Sequence, residues 1–247
     1  MYDNCSQCIF IGHDIKTGET GGDSFACTFG DRKLVKYQSL LSHKRILIML
    51  SSTAHGTIKA APQNSQLSLP GVTWEQFKLV EEAFAGIGGV RFIYLDGVLE
   101  IMTPSADHED YKSTISLLLE SYMRKIGVRF YTRGSATLGN KSIGGQKEPD
   151  ESYNFGVKKP IPDLVVEVII TSGTISLLQL YQRLGVPEVW LWQDGVLDIY
   201  YLENDGYRLI DQSHFLPELN LGILSKYINY HDQYDAVTEF IGELKIS

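Results

Sequence analysis

Cysteine is scarce, with 3 in 247 residues and all of them before position 28, so no disulfide framework supports the body of the chain. Proline is sparse too, at 8 residues, and helices and strands can run with few imposed breaks. No apolar run approaches the roughly 18 to 20 residues needed to span a bilayer. The segment Ile46-Leu-Ile-Met-Leu50 is too short even for a signal-peptide apolar region. These absences lead us to expect a cytoplasmic protein without membrane contact. An excess of positive charge is also missing. The formal charge of −8 argues against a generally basic, phosphate-coating surface. Its distribution is uneven, because residues 109–160 carry nine Lys and Arg against six Asp and Glu, whereas 161–247 carry four against thirteen. Arg124, Lys125, Arg129, Arg133, Lys141, Lys147, Lys158 and Lys159 could line one side of a cleft, or be ordinary solvated charges.

Hydrophobic residues make up 43 % and charged residues 21 %, the balance of a globular chain with one domain, or one plus an appendage. Residues 1–60 are rich in Gly, Asp, Ser and Thr without periodicity, and read as a poorly ordered extension ahead of a folded domain at 61–247. Cys5-Ser-Gln-Cys8, with His13 and Cys27, offers four zinc-type ligands but lacks a second close pair, so loop is the preferred reading. Met49, just before the weakly patterned run Ser51 to Ser68, is an alternative start.

Order becomes legible at Leu69. Thr73-Trp-Glu-Gln76 is a capping box opening a helix with Trp74, Phe77, Val80 and Phe84 near helical spacing. Val90–Leu95 and Val98–Met102 flank Asp96-Gly97, a hairpin signal. Ile115, Leu118, Leu119, Tyr122, Met123 and Ile126 then recur at three- and four-residue steps in a second helix, closed by Gly127. Strand-like Val128–Thr132, a Gly-rich turn region at 139–145, a second strand after Pro149-Asp150, and Asp163–Thr171 follow. The stretch 172–184 has Ile175, Leu178, Tyr181 and Leu184 in helical register, and Val189–Trp192, Asp194-Gly195 and Val196–Tyr201 form another hairpin. Trp190 and Trp192 alternate with apolar neighbours and read as sheet packing.

One residue breaks the pattern. Leu164-Val-Val-Glu167-Val-Ile-Ile is apolar on both faces, as in an interior strand, except for Glu167. A carboxylate there loses hydration and costs several kcal/mol unless it is paired, protonated or bound to a cation. Side chains alternate with period two, so Asp163 and Glu167 share a face. A metal site explains this arrangement best.

Five stretches now carry a resemblance: Asp96-Gly-Val-Leu-Glu-Ile-Met102, Pro104-Ser-Ala-Asp-His108-Glu109, Glu148-Pro-Asp150, Pro162-Asp-Leu-Val-Val-Glu167 and Leu184-Gly-Val-Pro-Glu-Val-Trp190. In order and spacing, from about Val72 to Tyr201, the chain resembles the bacterial restriction-endonuclease family of Uma-two type in the PD-(D/E)XK nuclease superfamily. The resemblance implies an α/β (α+β) core, a mixed sheet flanked by helices, in which acids gather Mg²⁺ or Mn²⁺ to hydrolyse phosphodiester bonds of DNA. Asp150 and Glu167 match the two strand acids. Glu109 matches a third acidic position on the first core helix, beside His108. Asp163 is an outer ligand or the polar start of its strand. Superfamily nucleases often dimerise to cut two strands, and the aromatic C-terminal stretch from Tyr227 to Ile241 reads as a closing helix on the core or at a dimer face.

The chain departs from that pattern at the cation. The superfamily places a Lys two residues after the Glu, here Ile169, and this family commonly places it on the following helix, here Leu177. Arg183, Lys158 and Lys159 are candidate substitutes. Two readings therefore stand: a metal-dependent endonuclease with a weakened site, or a degenerate nuclease fold kept as a DNA-binding or protein-interaction module. As for the extension, removing residues 1–48 is expected to leave the thermal unfolding midpoint unchanged; a large drop would place those residues in the core.

Overall fold

The computed structural model describes residues 65–170, 173 and 176–244, together with the backbone of Cys8–Phe10 and Phe25–Cys27. The chain divides into two compact units, Met1–Thr57 and Ile58–Ser247. In the first, β1 (Cys8–Phe10) pairs antiparallel with β2 (Phe25–Cys27), Cys8 opposite Cys27. Cys5 and His13 of the considered zinc set lie outside the described residues.

The second unit is mixed α+β, with two sheets and five helices. The first sheet has the order β3-β5-β4-β8-β7, built from β3 (Ser65–Pro70), β4 (Arg91–Leu95), β5 (Val98–Thr103), β7 (Leu138–Asn140) and β8 (Gly145–Lys147). The second has the order β13-β12-β11-β10-β9-β6, from β6 (Phe130–Thr132), β9 (Glu151–Phe155), β10 (Leu164–Ile169), β11 (Glu188–Gln193), β12 (Val196–Glu203) and β13 (Gly206–Ile210). Helix α1 (Trp74–Ala83) opens on the expected capping box, Thr73 Oγ1 accepting from Gln76 N and Gln76 Oε1 from Thr73 N. Both Asp-Gly turns form, with positive φ at Asp96, Gly97, Asp194 and Gly195, the backbone that a tight two-residue hairpin demands.

Strand β10 is the structural centre. It pairs parallel with β11 and antiparallel with β9. Leu164, Val166 and Val168 pack on the face covered by α2 (Ala106–Lys125), α4 (Leu221–Ile228) and α5 (Gln233–Glu243), against Ile115, Leu118, Leu119, Trp190, Leu224 and Phe240. Val165 points the other way, into a cluster with Ile93, Leu95, Leu180 and Leu184, the last two from α3 (Leu177–Leu184). Both faces are therefore dry, as the apolar run implied.

Several elements depart from the reading of the sequence. A strand already begins at Ser65, within the run taken as weakly patterned, and pairs along the whole of β5. The Gly-rich region 139–145 is a hairpin, β7 with β8, whose three-residue strands are too short to show alternation. Strand β13 extends the second sheet, and the C-terminal helix is two helices separated at Asn229–Asp232. A buried carboxylate at the head of β11 fastens the loop after β13, since Glu188 accepts from Trp190 Nε1 (2.6 Å), Ser213 Oγ (2.6 Å) and His214 N (2.9 Å).

The β7–β8 hairpin is held close by Gly139, whose φ of +104° and lack of a Cβ let Gly145 approach; a Cβ there would lie 2.2 Å from Gly145 O. Gly139→Ala is accordingly expected to destabilise the fold by at least about 1–3 kcal/mol, measured by urea unfolding. An unchanged midpoint would show that the hairpin can shift to relieve the clash.

Candidate active site

The chain passes from one sheet to the other at the site. Lys147 ends β8 in the first sheet, and Asp150, three residues on, stands immediately before β9 in the second. The pairing of β9 with β10 then brings Asp150 beside the end of β10, where its Oδ2 accepts from Val168 N at 2.8 Å. Glu167 is the neighbouring residue on β10 and points to the opposite face from Val168, the face shared with Val165 and α3.

Glu167 is satisfied by two groups from separate elements. Lys147 Nζ lies 3.0 Å from its Oε2, with both side chains buried. The Tyr181 hydroxyl, from α3, donates to Oε1. The cation absent from Ile169 and Leu177 is thus supplied by Lys147, twenty residues earlier in the chain than Glu167. The other candidates are engaged elsewhere: Arg183 forms a two-pronged pair with Asp96, Lys159 bonds Asp163 at 2.6 Å, and Lys158 lies over the Tyr131 ring.

Asp150 is held by His108, the third residue of α2, whose helix is capped by Ser105 Oγ accepting from His108 N. His108 Nε2 is 3.1 Å from Asp150 Oδ2, and because Asp150 is ionised this nitrogen is assigned as the donor. Burial alone would raise the Asp150 pKa, but the His108 hydrogen bond and the Lys147 charge hold it well below the usual carboxylate range. Burial alone would lower that of His108; the bond to Asp150 and the surrounding carboxylates outweigh it, and the value is raised. Glu167 moves oppositely to Asp150. Complete burial pushes it up to about 8, against the opposing pull of Lys147. Two nearby carboxyls with divergent proton affinities are a pattern found at catalytic centres.

These groups face a cavity of about 270 Å³, lined also by Gln66, Arg91, Glu100, Leu177 and Leu178. Of the four acids expected from the sequence, the structure brings Asp150 and Glu167 together there. Glu109 is half-exposed and engaged by Lys112 (2.8 Å) and Arg91 (3.6 Å), outside the cavity lining. Asp163 lies just before β10, four residues from Glu167, and its carboxylate accepts from Phe155 N (2.9 Å) and Lys159. Among the described residues no group of three or more His, Cys, Asp or Glu is arranged to hold a metal ion. Two carboxylates nevertheless suit Mg²⁺, which usually keeps several waters and takes its remaining oxygens from substrate phosphate. The hydrogen bonds from His108 and Val168 both fall on Asp150 Oδ2.

The family model Uma2, described as "Putative restriction endonuclease", matches residues 74–226, which include every residue of this acid–cation arrangement. The chain belongs to this family. No curated protein matches the chain. A solved structure similar to part of it is that of a putative nuclease belonging to DUF820 from Anabaena variabilis ATCC 29413, 14% identical, covering 60% of this chain and 90% of that chain, with a TM-score of 0.38. Lys147 lies one residue before the Glu148-Pro-Asp150 stretch and outside the five that carry the resemblance. Its nearest signal is its place three residues before Asp150 in a basic stretch.

The carboxyl shift has a consequence for stability. Glu167 titrates near 8 in the fold, against an ordinary value of 4.5 in the unfolded chain, so between those values the folded form holds a proton that the unfolded chain has lost. Stability gained from this group is complete below about pH 4.5 and declines as pH rises towards 8. His108, also raised, adds to the same trend. With EDTA present, the urea midpoint is expected to fall from about pH 5 to 8, and Glu167→Gln, which cannot ionise, should reduce that slope. Equal slopes in parent and variant would place the proton elsewhere.

Proposed function

We propose that this chain is a metal-dependent endonuclease that hydrolyses phosphodiester bonds in DNA, with Asp150 and Glu167 as ligands of Mg²⁺ or Mn²⁺ and Lys147 as the catalytic cation. The observation that carries this reading is the 3.0 Å approach of Lys147 Nζ to Glu167 Oε2 in the cavity that Asp150 also lines. Family membership supports a nuclease, and the acid–acid–cation set supplies its chemistry.

A bound divalent ion would polarise the phosphate and lower the pKa of a coordinated water. The protein's own groups do the rest. His108 fixes the Asp150 carboxylate in rotation and, through its hydrogen bond, favours the ionised form. Tyr181 fixes the other oxygen of Glu167. The Lys147 ammonium, held in a largely water-excluded pocket, is placed to orient the attacking water or to stabilise charge developing on the phosphate. Glu109, engaged by Lys112, Arg91 and His108, and Asp163, engaged by Phe155 N and Lys159, are left out of the ligand set. A homodimer that places two such sites on two strands is proposed on the superfamily resemblance.

A second reading, a degenerate fold retained for binding, draws on the same contact, because an ammonium already at Glu167 satisfies the buried acid without a metal. Supercoiled-plasmid cleavage with Mg²⁺ or Mn²⁺ separates the two. The parent is expected to cut, Asp150→Ala and Glu167→Ala to abolish cutting, and Lys147→Ala to slow it by about a hundredfold or more. Leu177 lines the same cavity; Leu177→Lys is therefore expected to restore cutting to Lys147→Ala while adding little to the parent. A silent parent whose melting temperature also ignores Mg²⁺ would establish the second reading.

A further inference from the structure

Among residues 65–244, lysines and arginines are paired with carboxylates almost everywhere: Lys78, Arg91, Lys112, Lys141, Lys147, Lys159, Arg183, Arg208 and Lys226 all are. Lys125 instead donates to the Ile241 carbonyl at 2.5 Å. The remaining four, Arg124, Arg129, Arg133 and Lys158, also meet no carboxylate among the described residues, and they lie around β6, Arg133 immediately after it. Arg124, Arg129 and Lys158 are exposed and line a groove of about 550 Å³ along β6 and the end of α2, with Glu120 as its acidic lining residue. Acids outnumber bases by 30 to 22 in this chain, so leaving like charges together without counter-ions costs repulsion. Such a groove is complementary to an anion.

Its position relates it to the catalytic acids. Strand β6 is the edge of the six-stranded sheet and runs antiparallel to β9. At one end Gly156 N donates to Arg129 O (2.9 Å), and at the other Arg133 N donates to Ser152 O (2.8 Å). Ser152 is two residues from Asp150. The unpaired cations therefore follow a sheet edge that leads, over about 13 Å from Arg129 to Arg133, to the strand end bearing Asp150.

The groove's aromatic rings are already covered, Phe130 by Arg124 at 5.6 Å and Tyr131 by Lys158 at 5.5 Å. Both rings thus already carry a cation on one face, and the exposed charges favour phosphates over stacked bases. We infer that the β6 edge, through Arg124, Arg129, Arg133 and Lys158, is the track for DNA backbone phosphates flanking the bond to be cut. The inference takes the identity of the polymer from the nuclease reading, but it concerns binding and not chemistry.

Binding of a fluorescent DNA duplex of about 25 base pairs in EDTA, titrated over salt concentration, tests it without any cleavage. The triple variant Arg124→Glu, Arg129→Glu, Lys158→Glu is expected to bind at least tenfold more weakly at low salt. Its log Kd against log salt slope should be shallower by about 0.9 for each phosphate that the variant no longer neutralises. Lys141→Glu with Arg208→Glu, charges paired elsewhere, should leave the slope unchanged. If the triple variant melts early, Lys158→Gln, an exposed loop residue without an ion pair, carries the comparison. Unaltered affinity and slope in the groove variants, or no duplex binding by the parent at 50 mM salt, would overturn the track; the first result would leave the nuclease reading intact. Weakened binding in the variant alongside a parent that never cuts would retain the track and discard the nuclease.

Discussion

A carboxylate buried in the central strand needs partners that a strand cannot provide for itself, and the partners of Glu167 come from two separate elements. Lys147 reaches it from the other sheet and Tyr181 from the crossover helix. Removing one member of such a buried pair typically costs about 3–5 kcal/mol, since it leaves a charge without water or counter-ion. The same contacts that satisfy the acid therefore fix the first sheet and α3 against β10. Stability and the chemistry assigned to the cavity draw on one set of interactions.

The two acids are made different by their surroundings. Asp150 receives a backbone amide and an imidazole donor, so its charged form is favoured despite burial. Glu167 sits one residue from that amide but on the opposite face, where burial dominates and its proton is retained to higher pH. One strand thus separates a permanent anion from a carboxyl that a cation must first deprotonate, a coupling between ion binding and proton release that any divalent ligand here would experience.

Much of the fold was legible because its signals are local. Thr73-Trp-Glu-Gln76, the two Asp-Gly turns and the apolar steps of α2 need no distant partner to be recognised, and each formed where read. The β7–β8 hairpin was hidden by brevity and glycine, and β13 by its thin alternation at a sheet edge. Glu167 stood out because an acid in an apolar run is anomalous on its face. Lys147 did not, because its role arises only where two sheets meet; in sequence it is one of several cations in a basic stretch. Tyr181 was read as core from its helical spacing, which is correct for its ring and silent about its hydroxyl.

The link from Lys147 to Asp150 is the short joint between two sheets that share no strand pairing among the described residues. A small change in the angle between the sheets would draw the ammonium away from Glu167 while every ladder in either sheet stayed intact. The joint between the sheets coincides with the buried Lys147–Glu167 contact, so the shape of that cavity depends on how the two sheets are held together.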